Sequence, residues 1–218
     1  MVCGCIRSRF FLIFGTLKAT SFPPFLEPAG GEFVAVSGRA VIRISPRKIR
    51  FSSVQGNRIT ALERRGANRR TLTAENPSSG VTRYFAGGDG TQRHVSVPRY
   101  SRIRAADLYS RIDLAYYFDR NRFEFDLELH PGADPKLLRF ALPGAANLLV
   151  NTHGDLTVQI EEQTLAFQSP RAYQILRGVH QEVECQYQMD SQGLVGFRLG
   201  SYDRRRDLII DPVVQFLT

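Results

Sequence analysis

Phe123-Glu124-Phe125-Asp126-Leu127-Glu128-Leu129 is the stretch on which the fold turns: four apolar side chains with three acids between them. Successive side chains of an extended strand point to opposite faces, so this segment presents one apolar face and one carboxylate face. The same rhythm returns at Leu156-Thr157-Val158-Gln159-Ile160 and at Val183-Glu184-Cys185-Gln186-Tyr187-Gln188-Met189. Shorter extended segments are expected at 33–36, 41–44 and 48–52. Turn residues separate them: Ser37-Gly38, His153-Gly154-Asp155, Glu161-Glu162, Arg177-Gly178 and Asp190-Ser191-Gln192-Gly193. Only residues 134–138 predict a helical turn. Short strands with polar turns and no interleaved helices predict an all-β fold, an antiparallel β-sandwich-like domain of many short strands.

The chain has 218 residues, enough for one sizeable core or two small ones, and its 43% hydrophobic and 23% charged content is that of a globular protein. Residues 22–31, with Pro23-Pro24, read as an irregular lead-in, and 32–216 as the all-β domain. A sub-boundary is expected near residue 98, because the portion before it is richer in Arg and Gly and holds a loop-like stretch at Glu75-Asn76-Pro77-Ser78-Ser79-Gly80. The sequence shows no repeat of fixed period.

The formal net charge is +8 and the pI is about 9.8, with Lys18, Lys48 and Lys136 as the only lysines. Nucleic-acid binders gather their charge on one face, often among stacking aromatics. Here the arginines are scattered, with small clusters at Arg64-Arg65, Arg69-Arg70 and Arg204-Arg205-Arg206. A solvated basic surface is expected, and nucleic acid is not an expected partner. Cys3 and Cys5 precede the first apolar run, and Cys185 stands alone in an alternating segment, where it reads as a small core residue.

Residues 1–21 hold Arg7 and Arg9, an apolar run from Phe10 to Leu17, and small residues Ala19, Thr20 and Ser21, the three parts of a signal peptide. The run is too short to cross a bilayer as a helix, which needs about 20 residues. Export to the medium or the cell surface is therefore expected, with no transmembrane helix.

Chemistry-bearing residues form no decisive set. Asp107, Asp113, Glu124, Asp126 and Glu128 lie close in sequence, and a carboxylate-dependent hydrolase needs two carboxyls about 5 to 10 Å apart. Glu124, Asp126 and Glu128 are read instead as the water-facing side of a strand. His94, His130, His153 and His180 are isolated, and arginines interrupt the acids at 119–124, so no metal is expected. Gly87-Gly88-Asp89-Gly90 lacks the Lys and Ser or Thr of a phosphate loop and reads as a tight turn. No nucleophile elbow occurs, no cofactor is expected, and no catalytic residue is assigned.

One ordered series of motifs remains. It runs through Asn76-Pro77, Tyr84-Phe85-Ala86-Gly87, Val97-Pro98-Arg99-Tyr100-Ser101-Arg102-Ile103-Arg104, Asp107-Leu108-Tyr109 and Ile112-Asp113-Leu114-Ala115-Tyr116-Tyr117. It continues with Phe123-Glu124-Phe125-Asp126, Pro131-Gly132-Ala133-Asp134-Pro135, Gly196-Phe197-Arg198-Leu199-Gly200-Ser201-Tyr202-Asp203 and Leu208-Ile209-Ile210-Asp211-Pro212. Over roughly residues 30 to 216 this resembles the uncharacterised amino-terminal domain of bacterial exported proteins that carry seven-bladed β-propeller (SBBP-type) repeats. Departures are Ser110-Arg111 in place of Pro-Gly, Phe118 in place of Gly, and no Trp before Val97. The resemblance implies propeller repeats just after the Asp-Pro, whereas this sequence ends at Thr218, so a copy standing without them is expected. It implies no catalytic residue.

The motif residues Tyr84, Pro98, Tyr100, Asp113, Tyr116, Tyr117, Glu124, Asp126, Pro131, Gly132, Asp134, Pro135, Gly200, Tyr202, Asp203, Asp211 and Pro212 are read as setting turns and core packing. Pro131 and Pro135 would stiffen the turn between them. Tyr116 and Tyr117 would point to opposite sheet faces. The leading expectation is a non-catalytic exported module that caps, spaces or presents neighbouring β-propeller modules. A surface-glycan binder using Tyr100, Tyr109, Tyr116 or Tyr117 as stacking platforms is the first alternative. A hydrolase built on Asp107, Asp113 and Glu124 is the second.

Overall fold

The structure, a computed structural model, describes residues 24–37, 40–53, 58–86, 93–160 and 163–217. The leader at 1–21, the Gly87-Gly88-Asp89-Gly90 turn, the Glu161-Glu162 turn and the His94 side chain lie outside what it describes. Its first part is a meander of β1 (Leu26–Ala29), β2 (Glu32–Ser37), β3 (Ala40–Ile44), β4 (Lys48–Ser53) and β5 (Arg58–Arg64). Two long strands follow, β6 (Thr73–Ala86) and β7 (Arg93–Tyr109), then the hairpin of β8 (Ile112–Asp119) and β9 (Arg122–Leu129). After a single 3-10 turn at Pro135–Leu137 come β10 (Phe140–Ala141), β11 (Asn147–Val150), β12 (Leu156–Ile160), β13 (Gln163–Phe167), β14 (Arg171–Leu176) and β15 (Val179–Val183). The chain closes with β16 (Cys185–Met189), β17 (Val195–Leu199), β18 (Leu208–Asp211) and β19 (Val213–Leu217).

The ladders are antiparallel and join the strands into one continuous, nearly closed, barrel-like sheet. Local hairpins account for much of it, and a few distant pairings wrap it round. β1 meets β7 at Leu26 and Tyr100, β5 meets β10, β10 meets β17, and β19 meets β13. β9 is the hub: β8 lies on one side, and β18 and β19 lie in succession on the other.

The all-β expectation holds, with differences in detail. The loop-like stretch at 75–80 lies inside β6. There the pairing jumps from Pro77 opposite Tyr100 to Val81 opposite Pro98, with Asn76 at φ 51° and Gly80 at φ 112°. Pro77 has no N–H to donate, so an irregular point in a strand tolerates it. β6 and β7 have 14 and 17 residues, longer than the short strands expected. β7 crosses Pro98 without a break, and the buried apolar cluster is continuous from Leu26 to Val214.

The apolar face of β9 does what its alternation predicts. Phe123, Phe125, Leu127 and Leu129 are buried against Ile112, Leu114 and Tyr116 of β8, and each such side chain contributes about 1.5–3 kcal/mol on burial. Tyr116 stacks on Phe123 at 5.9 Å and 12°, and Phe51 of β4 meets Phe123 edge-on at 6.4 Å. The turn at Arg120-Asn121 between β8 and β9 has positive φ at both residues (45° and 68°), the two-residue geometry that matches strand twist. Arg111, standing where the resemblance favours Gly, adopts φ 60°.

Candidate functional site

β8 and β9 each bury five consecutive residues, which a strand with one wet face does not do. Glu124 is 4% exposed and Asp126 9%, so the water-facing reading of these acids is wrong. Alternation identifies two faces but cannot say what lies over either. Here β7 and β8 supply long side chains to the carboxylate face. In the sheet register Arg102 pairs with Tyr117 and Arg104 with Ala115, while Asp113 stands opposite Glu128 and Tyr117 opposite Glu124. Across β9, Ile209 faces Glu128 and Val213 faces Glu124, so Asp211 falls beside Asp126.

At one end of this face the acids are neutralised by direct partners. Arg104 donates to Asp113 Oδ2 from Nη2 at 2.8 Å and from Nε at 3.2 Å, and it also binds both oxygens of Glu128. Arg102 reaches Glu128 at 2.8 Å and Glu75 at 3.3 Å. The Asp107 N–H donates to Asp113 Oδ1 at 2.7 Å. His130 lies between Asp113 (3.2 Å) and Asp207 (3.0 Å). Burial pushes the Asp113 carboxyl up, but the Asp107 N–H, Arg104 and His130 outweigh it and hold its pKa below the ordinary value. The hydrogen bond with Asp207, and that with Asp113, raise the pKa of His130.

Asp113, Glu128 and His130 bring ligand atoms within 4.8 Å of one another, the spacing of a metal centre. Their other partner decides the matter. The Arg104 guanidinium is bonded to both carboxylates, so a permanent cation already holds the place a metal would take, and the residues do not fit one.

The other end is different. The Tyr117 hydroxyl donates to Asp126 Oδ1 at 2.8 Å, and Arg102 comes no closer to Asp126 than 4.0 Å. Arg122 approaches Glu124 at 3.1 Å without hydrogen-bond alignment, and Glu124 Oε1 and Asp211 Oδ1 are buried oxygens that accept no hydrogen bond. Burial, reinforced by the Asp211 charge, pushes Glu124 up to about 7. Burial pushes Asp126 up to about 6 against the lowering effect of the Tyr117 hydrogen bond, and it raises Asp211 as well.

The remaining motif residues are spread over the molecule. Tyr116 is wholly buried, with its hydroxyl bonded to Arg64, and Tyr117 lies on the opposite face under the Arg102 guanidinium. Tyr100 packs edge-on against Phe33 at 6.4 Å, and Pro98 is exposed opposite Val81. Tyr84 donates to the buried Glu27, and burial with that contact pushes its hydroxyl up to about 12. Gly132 takes φ 81° and donates to the Arg204 carbonyl at 3.2 Å, while Asp134 caps the 3-10 turn that Pro135 opens. Gly200 donates to the Glu184 carbonyl at 2.8 Å, and a Cβ on it would lie 3.0 Å from that of Glu184. Asp203 accepts the Arg205 N–H at 3.0 Å, and the buried Gln174 binds its backbone N–H and carbonyl at 2.9 Å each. Pro212 is buried between β18 and β19.

Each alternative loses some of its named residues. Tyr109 and Tyr116 are core side chains, not stacking platforms. Glu124 sits four residues along β9 from the partner of Asp113, roughly 13 Å away at strand rise, and the Asp107 carboxylate faces Arg70 at 3.8 Å. Sequence reasoning missed Arg102, Arg104, His130, Tyr173 and Gln174. The alternation Arg102-Ile103-Arg104 and the shared parity of Glu128 and His130 were the available signals. A shallow concavity lined by Leu199, Gly200, Ser201, Tyr202 and Arg204 also went unforeseen.

No curated protein and no solved structure matches the chain. Residues 30–213 match a family profile described as a domain of unknown function, and on that coverage the chain belongs to the DUF7948 family.

Proposed function

We propose that this domain is a non-catalytic, exported scaffold that caps or spaces β-propeller modules. The observation that carries the reading is where the motif residues sit. Asp113 is held by Arg104 and His130, Tyr116 by Arg64, Asp203 by Gln174, and Gly200 lies against Glu184. Each is engaged by another part of the same chain, as residues that fix a shape are. Pro212 then separates β18 from β19, both of which run along β9.

Fusion of propeller repeats after Thr218 tests capping. The repeats are expected to melt at a higher temperature in the fusion than alone, and equal melting temperatures would overturn the reading. Export is checked by amino-terminal sequencing from a secreting host, where the mature chain is expected to start near Phe22. Turnover of a chromogenic glycoside that disappears in Asp126→Asn would replace the scaffold by an enzyme.

A second reading, surface-glycan binding, is favoured by the open concavity that Tyr202 and Arg204 line together with Leu199, Gly200 and Ser201. A concavity lined by an aromatic and an arginine suits an acidic sugar. Binding on a glycan array that falls at least tenfold in Tyr202→Ala is the expected result, and signal at background removes this reading.

A further inference from the structure

We propose that Glu124, Asp126 and Asp211 form a proton-operated latch on the C-terminal strand, closed while the three share a proton and loosened when all are ionised. The seam is the place where β18 and β19 run along β9. Its register is continuous, with Ile209, Ile210, Val213 and Val214 opposite Glu128, Leu127, Glu124 and Phe123. Pro212 interrupts it and has no N–H to donate, so the ladder is weakest beside the three carboxylates.

The charges around the seam do not balance locally. From β7, Arg104 is committed to Asp113 and Glu128, and Arg102 to Glu128 and Glu75 of β6. From β9, Arg122 is half exposed and shared with Asp119 of β8. From β14, Arg171 is 72% exposed and paired with Glu182 of β15. Tyr117 of β8 gives Asp126 one hydrogen bond, and Tyr173 of β14 lies within electrostatic reach of Asp126, Asp211 and Glu128, with its ring stacked on His180 of β15. His130 and Asp207 belong to the Asp113 end. Among the described residues the three carboxylates thus share only the half-exposed Arg122, 3.1 Å from Glu124, with Arg102 no nearer to Asp126 than 4.0 Å and Arg171 turned to Glu182, and like charges so placed favour retention of a proton.

The direction follows from linkage. Glu124, Asp126 and Asp211 titrate above their ordinary values in the fold, so the folded state binds more protons than the unfolded chain. The stabilisation is complete below about pH 4 and is lost as pH rises through about 6 to 7. His130, also raised, changes stability with the same sign in an overlapping window, so its effect must be separated.

Amide hydrogen exchange of Ile210, Val213 and Val214, corrected for intrinsic rates, is the measurement. At least tenfold greater protection at pH 5 than at pH 8 is expected, while β2 and β3 change little. Glu124→Gln with Asp126→Asn is expected to keep the pH 5 level at pH 8, and His130→Gln to retain the difference. Equal protection at the two pH values, or a difference abolished by His130→Gln, overturns the latch. Should the double variant not fold, urea unfolding of the His130→Gln chain near pH 6 in weak buffer gives the answer: proton release is expected, and no release or uptake overturns the proposal.

Discussion

At Tyr116 a phenol is buried to the last atom, and the arrangement is tolerable because Arg64 meets its hydroxyl while also binding the carbonyls of Ser45 and Pro46. Tyr116→Phe removes that partner from the guanidinium, so a loss of about 1–2 kcal/mol in urea unfolding is expected. Arg104 holds two carboxylates apart from each other. Arg104→Ala leaves Asp113 and Glu128 facing without it, and a loss of about 2–3 kcal/mol is expected, reduced from the fully buried case because the side chain is a quarter exposed. Gly200 is constrained by space: a Cβ would press on that of Glu184, so Gly200→Ala is expected to cost about 1–2 kcal/mol. Little of this was legible in sequence, since Arg64 and Tyr116 stand 52 residues apart and no local pattern pairs them.

At the scale of elements, the hairpin of β14 and β15 forms as its Arg177-Gly178 turn predicts, both residues having positive φ. β15 has no second neighbour among the described ladders, and Val179, 67% exposed, lies beside the exposed Ile175 and Leu176. Such an edge invites pairing with another chain, and charge is the usual protection. Val179→Lys is expected to leave the melting temperature nearly unchanged and to reduce concentration-dependent association in sedimentation velocity. β9 was the most legible strand, because Phe123 to Leu129 alternates strictly. The 75–80 stretch was the least legible. Its Pro and Gly residues signal a break, and only the facing length of β7 shows that the strand resumes beyond it.

At the scale of the whole molecule, one apolar cluster links β1 to β19, and the last strands pair with the middle of the chain. A single cooperative transition is therefore expected in calorimetry. Two resolved transitions would support a division near residue 98. The pairing of β9 with β18 and β19 spans some eighty residues of sequence, a non-local closure that slows folding. Truncation before Leu208 is expected to abolish the native fold, because it strips one whole side of β9, as circular dichroism and exchange would register.

Period-two alternation, read along a single strand, determined that the protein is all-β, which residues turn inward at Phe123 to Leu129, and that Tyr116 and Tyr117 take opposite sides. That is local information, because a strand sorts its own side chains by covalent geometry alone. Whether the second face meets water was decided only by tertiary pairing. Glu124 and Asp126 became buried acids because the C-terminal strands, distant in sequence, complete the sheet on one side of β9 while β8 and the β7 side chains cover the other, and burial beside only a shared, half-exposed arginine changed their chemistry.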